Sequence, residues 1–282
     1  MIPKKTITHI HQSVLRFTVF GILATGFVAT SIQAQTETKQ DDKWTEKKLT
    51  PKLHPVEWDG EPIHLLTTKK AKDDGSLGNW EPISFGGEGD CSIKDGILTI
   101  ESGDPMTGVT LPKKDLPKKN YELTLEARRT DGIDFFCGLT FPVNEDHICL
   151  IVGGWSGAVV GLSNLDDEDA SRNPSRRLMT FEDDRWYKIR IRVLEQQIVV
   201  WIDDECVIDQ NIKGKKISLR GDTLSCRPLG LCTFQTTSET RKLKLRKFKL
   251  KHSTDHDQPK SSKAKPRSLD PTGKPSKKKS DR

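Results

Sequence analysis

Side chains that could transfer protons or hold a polar ligand are concentrated between residues 134 and 176. Carboxylates and imidazoles act as general acids and bases, while amide and guanidinium groups can orient a ligand through hydrogen bonds. The candidates in this stretch are Asp134, Glu145, His147, Asp166, Asp167, Glu168, Asp169, Asn173 and Arg176. These groups suffice for acid–base chemistry, although a sequence does not determine the distances between them.

Each of these groups could also have an ordinary structural role. Residues 166–169 form an acidic loop that is typical of a solvated surface, although its oxygen atoms could hold a hard cation such as calcium. His147 opens an apolar run and could be an edge histidine. Asp134 could cap the turn at Asp131-Gly132. Trp155 lies among glycines, where it could be an exposed platform or a core residue.

The elements that must position these groups are predicted to be short β-strands. In one strand, at residues 135–141, the side chains that share a face are Phe135, Cys137, Leu139 and Phe141. Two further apolar runs, 147–152 and 158–162, flank the glycine-rich turn at 153–157. Glycines here indicate either a sharply bent sheet or a group that approaches the backbone closely, and a ligand is one such group.

Strand patterns continue through the rest of residues 52–250. Residues 91–93 and 97–101 predict a hairpin, because Asp95-Gly96 suits the positive φ angles of a tight turn. Residues 121–127 and 186–193 alternate between apolar and polar side chains, which indicates a sheet with one buried face. Further strands are predicted at residues 83–85, 109–111, 198–202, 206–208, 229–234 and 243–250. This series, with no helix between its strands, favours an all-β fold, an antiparallel β-sandwich of the jelly-roll kind.

The beginning of the chain has the composition of a targeting segment. Residues 1–34 carry Lys4, Lys5 and Arg16 before an apolar run that ends in small residues, which is typical of a secretory signal peptide cleaved near Ala34. The run is shorter than the about 20 residues of a membrane span. We therefore expect an exported protein, periplasmic or extracellular, with no transmembrane segment in the mature chain. Residues 35–51 are interpreted as a charged linker.

The end of the chain is a basic tail. Residues 251–282 hold ten Lys or Arg against four Asp, and this difference equals the net charge of +6 of the whole chain. Its Lys, Pro and Ser content predicts disorder. Residues 1–250 balance at 36 basic to 36 acidic residues, so the basic pI does not indicate a specific nucleic-acid-binding fold. The tail is either merely solvated or attracted to an anionic envelope or matrix polymer.

The six cysteines lie in or beside predicted strands. Cys137 and Cys149 could form a disulfide, as could Cys226 and Cys232, but buried free thiols fit the pattern equally well. No CxxC or His-rich spacing indicates a zinc site, and no triad, phosphate loop or dinucleotide motif is present. Apart from calcium at the acidic loop, we expect no cofactor and no metal.

Several motifs in a fixed order resemble the 3-keto-disaccharide hydrolase domain family over about residues 61–250. They are Asn79-Trp80, Lys94-Asp95-Gly96, the strand at 136–143, LIVGGWSG at 150–157, RWYKIRIRV at 185–193 and PLGLCTF at 228–234. The chain looks like the versions found in exported proteins of planctomycete-type bacteria. One departure is the hairpin at residues 201–207, where Asp204 is followed by Glu205 and not by the family's usual glycine.

The resemblance implies a concanavalin A-like, LamG-like jelly roll with a carbohydrate site on its concave sheet. It also implies cleavage of glycosides that are oxidised at C3. A ketone at C3 acidifies the hydrogen on C2, so a base can remove it, the enolate can expel the C1 oxygen and water can then add. The candidate catalytic residues are His147, Asp166 and Asp169. The candidate substrate-binding residues are Asp134, Trp155, Asn173 and Arg176.

Two alternatives remain open from the sequence. Direct hydrolysis would need two carboxylates about 5 to 9.5 Å apart. A non-catalytic carbohydrate-binding or cell-surface interaction module would need only a β face with aromatic side chains. The expected partner in each case is a carbohydrate or glycoside.

Overall fold

The structure is a computed structural model that describes residues 48–66 and 76–251. The predicted signal peptide, most of the predicted linker and the tail from residue 252 lie outside the described residues. In chain order, the strands are β1 (Val56–His64), β2 (Glu81–Pro82), β3 (Cys91–Lys94), β4 (Ile97–Ile100), β5 (Met106–Thr110), β6 (Tyr121–Gly132), β7 (Cys137–Val143), β8 (Asp146–Gly153), β9 (Val159–Ser163), β10 (Arg177–Leu178), β11 (Tyr187–Val193), β12 (Gln197–Ile202), β13 (Glu205–Asn211), β14 (Gly230–Phe234) and β15 (Thr236–Leu250).

These strands form two antiparallel sheets. The eight-stranded sheet has the order β13-β12-β11-β6-β15-β4-β3, and β1 also pairs with β15. The seven-stranded sheet has the order β10-β9-β8-β7-β14-β5-β2. The helical segments in the described residues are one turn, Gly154–Gly157, and a 3-10 helix, Gly221–Cys226. The prediction of an all-β antiparallel sandwich is confirmed. Within the same described residues, no helix is long and apolar enough to cross a membrane.

The main core lies between the facing sides of the two sheets. The alternation predicted for β6 and β11 is confirmed, because the buried core residues of these strands are Tyr121, Leu123, Leu125, Ala127, Tyr187, Ile189, Ile191 and Val193. β8 of the opposite sheet contributes Ile148, Leu150 and Val152. Burial of each large aliphatic side chain contributes about 1.5–3 kcal/mol relative to exposure.

The beginning of β7 differs from the prediction. The strand starts at Cys137, and Phe135, which precedes it, does not share a face with Cys137, contrary to the prediction. Phe136 instead packs in the main core, with its ring centroid 5.2 Å from that of Phe181. Phe135 packs on the outer side of the sheet, 5.9 Å from Phe234. The prediction for Phe135 is wrong because strict alternation holds only within a regular pleat.

Two local features were difficult to predict. β1 was missed because most of its side chains are exposed, and its sequence shows no alternation. It is an edge strand that pairs with β15. The hairpin between β12 and β13 turns at Asp203 and Asp204, which have φ angles of 48° and 67°. Aspartate enters this left-handed region more readily than most residues, so the turn forms without glycine.

All six cysteines are free thiols. Cys137 packs in the main core, whereas Cys149 packs on the outer face of the same sheet. A bridge between them is therefore excluded by the pleat, which points the two side chains to opposite faces. Cys226 and Cys232 are both buried in the outer cluster, where they are unbridged.

Candidate functional site

Two loops lie on the outer side of the seven-stranded sheet. The first, residues 164–176, connects β9 to β10, and the second, residues 212–229, connects β13 to β14. They are joined to each other where the Asn164 N–H donates to the Ser218 carbonyl at 2.7 Å. Ala170 of the first loop packs so closely on β9 that its carbonyl oxygen would lie 2.7 Å from a Cβ added at Gly161. The glycine in β9 is thus required by chain packing and not by a ligand.

Beyond these loops, at the end of β8, lies a cavity of about 240 Å³ that we call the Trp155 cavity. The apolar part of its lining is formed by Phe135, Ile151 and Phe234. Its polar part contains Asp134, Ser163, Arg220, Asp222 and Thr223 together with Trp155. A small cavity that combines an apolar lining with a few converging polar groups is the usual form of a small-molecule site.

The indole of Trp155 is carried by a strained turn. Gly153, Trp155, Ser156 and Gly157 have φ angles of 79°, 50°, 65° and 91°. A bulky residue in the left-handed region costs on the order of 1–3 kcal/mol, and such strain persists only where the surroundings enforce it. The side chain of Asp134 supplies this enforcement, since its Oδ2 accepts the Ser156 N–H at 2.9 Å and its Oδ1 accepts the Phe135 N–H at 2.8 Å.

The guanidinium of Arg220 connects the polar groups of the cavity. It lies 5.9 Å from the centroid of the Trp155 ring. Its Nη2 is 3.1 Å from Oδ2 of Asp222, and its Nη1 is 3.7 Å from Oδ2 of Asp169. A fixed positive charge therefore stands between two carboxylates beside an aromatic side chain whose residue is 38% exposed.

Arg220 and Asp222 were not among the residues predicted from the sequence. They lie outside the stretch at residues 134–176, in a segment with no strand pattern and no recognisable motif. The fold brings them to Trp155 because Ile217 bridges Leu165, and Leu219, the residue before Arg220, packs against the outer cluster of the seven-stranded sheet. No local signal could have identified them.

His147 lies away from the Trp155 cavity. It is near the beginning of β8, whereas Trp155 follows the end of that strand, and the six residue steps from His147 to Gly153 span about 20 Å. His147 lines a different groove, of about 450 Å³, together with Lys113, Lys118 and Pro142. Burial lowers the pKa of His147, and the positive charges of Arg227 and Lys118 lower it further.

The acidic loop is largely neutralised by lysines. Lys215 Nζ donates to Asp166 at 2.6 Å, and this bond, together with the N–H of Lys216, lowers the pKa of Asp166. Asp167 forms an ion pair with Lys216 at 2.9 Å. Asp169 is bound by the N–H and hydroxyl of Ser171. Within residues 48–66 and 76–251, no group of three or more His, Cys, Asp or Glu is placed to hold a metal ion.

Asn173 and Arg176 do not line the Trp155 cavity. Asn173 is buried, and its amide nitrogen donates to the carbonyl oxygens of Leu162, Glu168 and Asp169 at 2.6–3.0 Å. Its Oδ1 accepts from the N–H and hydroxyl of Ser175. Asn173 therefore holds the loop in place and has no donor left for a ligand. Arg176 is exposed at the end of the loop.

Of the seven predicted site residues, the structure brings two into the lining of the Trp155 cavity, Asp134 and Trp155. A third, Asp169, reaches the edge of the cavity through Arg220. Asp166 pairs with Lys215 on the far side of the acidic loop. The cavity thus combines an exposed ring, a guanidinium and two carboxylates, which can bind a polar ring-shaped ligand and can exchange a proton with it.

Comparison with known proteins identifies the domain. A family model described as a 3-keto-alpha-glucoside-1,2-lyase-like domain matches residues 67–250, in agreement with the motifs that suggested this family. No curated protein matches the sequence.

Among solved structures, the chain is similar to carbohydrate binding module CBM66 from Bacillus subtilis, with 14% identity and a TM-score of 0.43 over 58% of this chain and 93% of that one. It is also similar to a putative glycosyl hydrolase from Parabacteroides distasonis, with 14% identity and a TM-score of 0.38 over 67% and 100% of the two chains. A third is domain 4 of an arabinanase from Geobacillus stearothermophilus, with 11% identity and a TM-score of 0.42 over 70% and 95%. These similarities are too distant to carry an argument about function.

Proposed function

The chain belongs to the 3-keto-alpha-glucoside-1,2-lyase-like domain family, a family of carbohydrate-active domains, and from this premise we propose that it cleaves glycosides whose sugar is oxidised at C3. The reaction takes place in the Trp155 cavity. The observation that supports this assignment is the convergence of Asp222, Arg220 and the Trp155 ring in one cavity of about 240 Å³. The sugar ring stacks on the exposed indole, as apolar sugar faces do on aromatic side chains.

The carboxylate of Asp222 acts as the base. It removes the acidified hydrogen from C2, and the electron pair of the C–H bond forms an enolate with C3. The enolate reforms the ketone as the bond between C1 and the glycosidic oxygen breaks, and the leaving oxygen takes a proton from water. The hydroxide left from that water then adds at C1 of the C1–C2 double bond and Asp222 returns its proton to C2, so that hydrolysis is the net result and the base is regenerated.

Arg220 stabilises the negative charge that develops on the C3 oxygen. A guanidinium is permanently charged and carries several N–H donors, so it can hold the Asp222 carboxylate and still donate to a ligand. Donors that are already oriented toward a developing charge are among the largest contributions to catalysis. Asp134 is a positioning residue in this scheme, because its two oxygens accept the backbone N–H groups of Ser156 and Phe135.

This assignment moves the base from His147 or the acidic loop to Asp222. His147 lies about 20 Å away along β8, and Asp166 is paired with Lys215. The decisive experiment is to incubate the purified protein with a panel of 3-keto-disaccharides and to follow the released monosaccharide. Turnover of at least one member is expected, and no turnover across the panel would refute the catalytic proposal.

A second candidate function is a non-catalytic carbohydrate-binding module. One observation favours it: both oxygens of Asp134 are used by the backbone, and Asp222 is ion-paired with Arg220, so each cavity carboxylate already has a partner. In this case the protein binds disaccharides in calorimetry without converting them. Binding that persists in Asp222→Asn, with no product from any 3-keto substrate, would support this function over the enzyme.

We further propose that residues 1–34 direct export and that residues 252–282 attach the protein to an anionic envelope or matrix polymer. The support is composition alone, since both segments lie outside the described residues. Mass spectrometry of the mature protein should find Gln35 at its N-terminus. Deleting residues 252–282 should leave the melting temperature unchanged and lower the salt concentration needed to elute the protein from an anionic resin, because salt screens such exposed charges.

A further inference from the structure

The outer face of the eight-stranded sheet carries tryptophans covered by arginines. Arg190 lies over the Trp201 ring at 3.7 Å from its centroid. Arg246 lies over Trp58 at 4.7 Å. Trp186 is contacted by Arg241 at 4.0 Å and by Arg128 at 4.7 Å. These cation–π contacts hold the guanidinium groups in fixed positions on the sheet surface.

A two-part groove crosses this face. One part, of about 240 Å³, is lined by Lys188, Arg190, Trp201 and Lys242. A second part, of about 190 Å³, is lined by Trp58, Glu122 and Arg246. Both parts share Thr124 and Lys244, so they adjoin each other over β6, β11 and β15. We call the two parts together the sheet groove. It lies on the opposite sheet from the Trp155 cavity.

A local irregularity in β15 adds to the positive charge of the groove. The register against β6 shifts between Arg241 and Lys244, and Lys242 has a φ of 54°. Such a bulge inserts one extra residue. As a result both Arg241 and Lys242 reach Glu126, at 2.7 and 2.8 Å, while Leu243 is buried in the core.

The positive charge in and around the sheet groove exceeds the negative charge. Five basic residues line the groove, Lys188, Arg190, Lys242, Lys244 and Arg246, against three acidic residues, Glu122, Glu126 and Asp204. Glu122 and Glu126 are each shared by two cations. In the part of the chain that the structure describes, neither the Lys188 nor the Lys244 ammonium has an acidic partner within 4.0 Å. The groove thus carries an excess of two positive charges, although residues 1–250 are neutral as a whole.

We propose that the sheet groove binds an anionic polysaccharide, with Lys188 and Lys244 pairing with its carboxylate groups. Arg190 and Arg246 are already held over tryptophan rings, so they lose little conformational freedom when a ligand binds, which favours association. The Thr124 hydroxyl lies at the junction of the two parts, where it can exchange hydrogen bonds with sugar hydroxyls. This surface is independent of the proposed catalytic cavity and leaves that cavity open while a polymer is bound.

The geometry favours a polysaccharide over a nucleic acid. Proteins bind single-stranded nucleic acid by stacking bases on free aromatic rings. Arginines lie over the Trp201, Trp186 and Trp58 rings at 3.7–4.7 Å, so the ring faces that they cover are not open to a base. The face presents groups that recognise charge and hydroxyls, which is the chemistry of a carboxylated glycan.

The test compares the full-length chain with two double variants of equal charge. Lys188→Glu with Lys244→Glu reverses the two unpaired charges of the groove. Lys94→Glu with Lys213→Glu makes the same change at exposed residues that do not line the groove. Calorimetry with polygalacturonate should show an affinity at least about tenfold weaker for the groove variant, since each lysine near an anionic surface contributes a sizeable electrostatic attraction. The control variant should remain within about threefold of the wild type.

Further measurements distinguish the sheet groove from the tail and from other polyanions. Neutral dextran should not bind. A synthetic peptide of residues 252–282 gives the affinity of the tail alone, and a wild-type affinity equal to that of the peptide would overturn the proposal. So would equal losses in the two variants, or tighter binding of oligo-dT or polyglutamate than of polygalacturonate. If the groove variant has a lowered melting temperature, Lys188→Gln with Lys244→Gln replaces it, and this variant must still bind more weakly than the control.

Discussion

The carboxylate of Asp134 accepts the backbone N–H of Ser156 at 2.9 Å and thereby holds the turn that presents Trp155 to the cavity. The two residues are separated by β7 and β8, so the contact links the entrance of one strand to the exit of the next. Because its oxygens accept backbone N–H groups, the Asp134 carboxylate holds the turn in place and is not the candidate base. The conformation of the candidate binding platform thus depends on a residue that precedes it by two strands.

Replacing Asp134 by Asn should destabilise the protein by about 0.5–1.5 kcal/mol, because an amide has one acceptor oxygen and one of the two backbone hydrogen bonds is lost. Chemical denaturation monitored by circular dichroism measures the change. Asp131→Asn, at an exposed acid three residues earlier, serves as the control and should have little effect. An equal loss in both variants would show that the Ser156 contact is not the cause.

Gly157→Ala should be more destabilising than Gly214→Ala. Both glycines have positive φ, 91° and 71°. A Cβ at position 157 would lie 3.0 Å from the Ile133 oxygen and 3.1 Å from Arg129 Nη1, whereas at position 214 it would meet nothing within 4 Å. Both variants have the backbone cost of about 1 kcal/mol, and only the first has the added steric cost. Thermal unfolding of the two variants measures the difference, and identical losses would contradict this view of the turn.

Asp222→Asn should reduce kcat on a 3-keto-disaccharide by about 100-fold or more, as expected for loss of a general base. Asp166→Asn and His147→Gln should retain activity near that of the wild type, because these residues lie outside the Trp155 cavity. The measurement is initial rates of monosaccharide release for the three variants. An inactive His147→Gln beside an active Asp222→Asn would place the chemistry in the other groove.

The stability of the folded protein should decrease at acid pH, in part because the carboxylate of Glu88 becomes protonated. Its carboxylate accepts backbone N–H groups, its own and that of Gly86 foremost, which lowers its pKa from 4.5 to about 2. A carboxyl whose pKa is lowered in the folded state stabilises the protein above the unfolded-state pKa, and this contribution is lost as the pH falls toward about 2. The melting temperature of the wild type should therefore fall more between about pH 4.5 and pH 2 than the melting temperature of Glu88→Gln. Glu57→Gln, which removes an exposed carboxylate in β1, is the matched control substitution, and an equal change in both variants would contradict a specific role of Glu88.

The sequence alone determined which residues form most of the strands and which of their faces are buried. In β6 and β11 the side chains alternate with a period of two, which is a local property of an extended backbone, so the core residues from Tyr121 to Val193 could be predicted. The hairpin at Asp95-Gly96 could be predicted for the same reason, because the turn conformation depends on the residues within it. Trp155 was found because it lies in the glycine-rich turn, and Asp134 because it begins the stretch at residues 134–176 that holds most of the candidate polar groups.

Only the tertiary structure decided what surrounds Trp155. Arg220 follows it by 65 positions along the chain, and the two meet because Ile217 bridges Leu165 in the loop after β9 while Leu219 packs against the outer cluster of the seven-stranded sheet. The same holds for β1, whose polar sequence becomes a strand only by pairing with β15. Such contacts depend on how the two sheets are ordered and joined. That order minimises the free energy of the whole chain, and it is not encoded in the backbone preferences of any one segment.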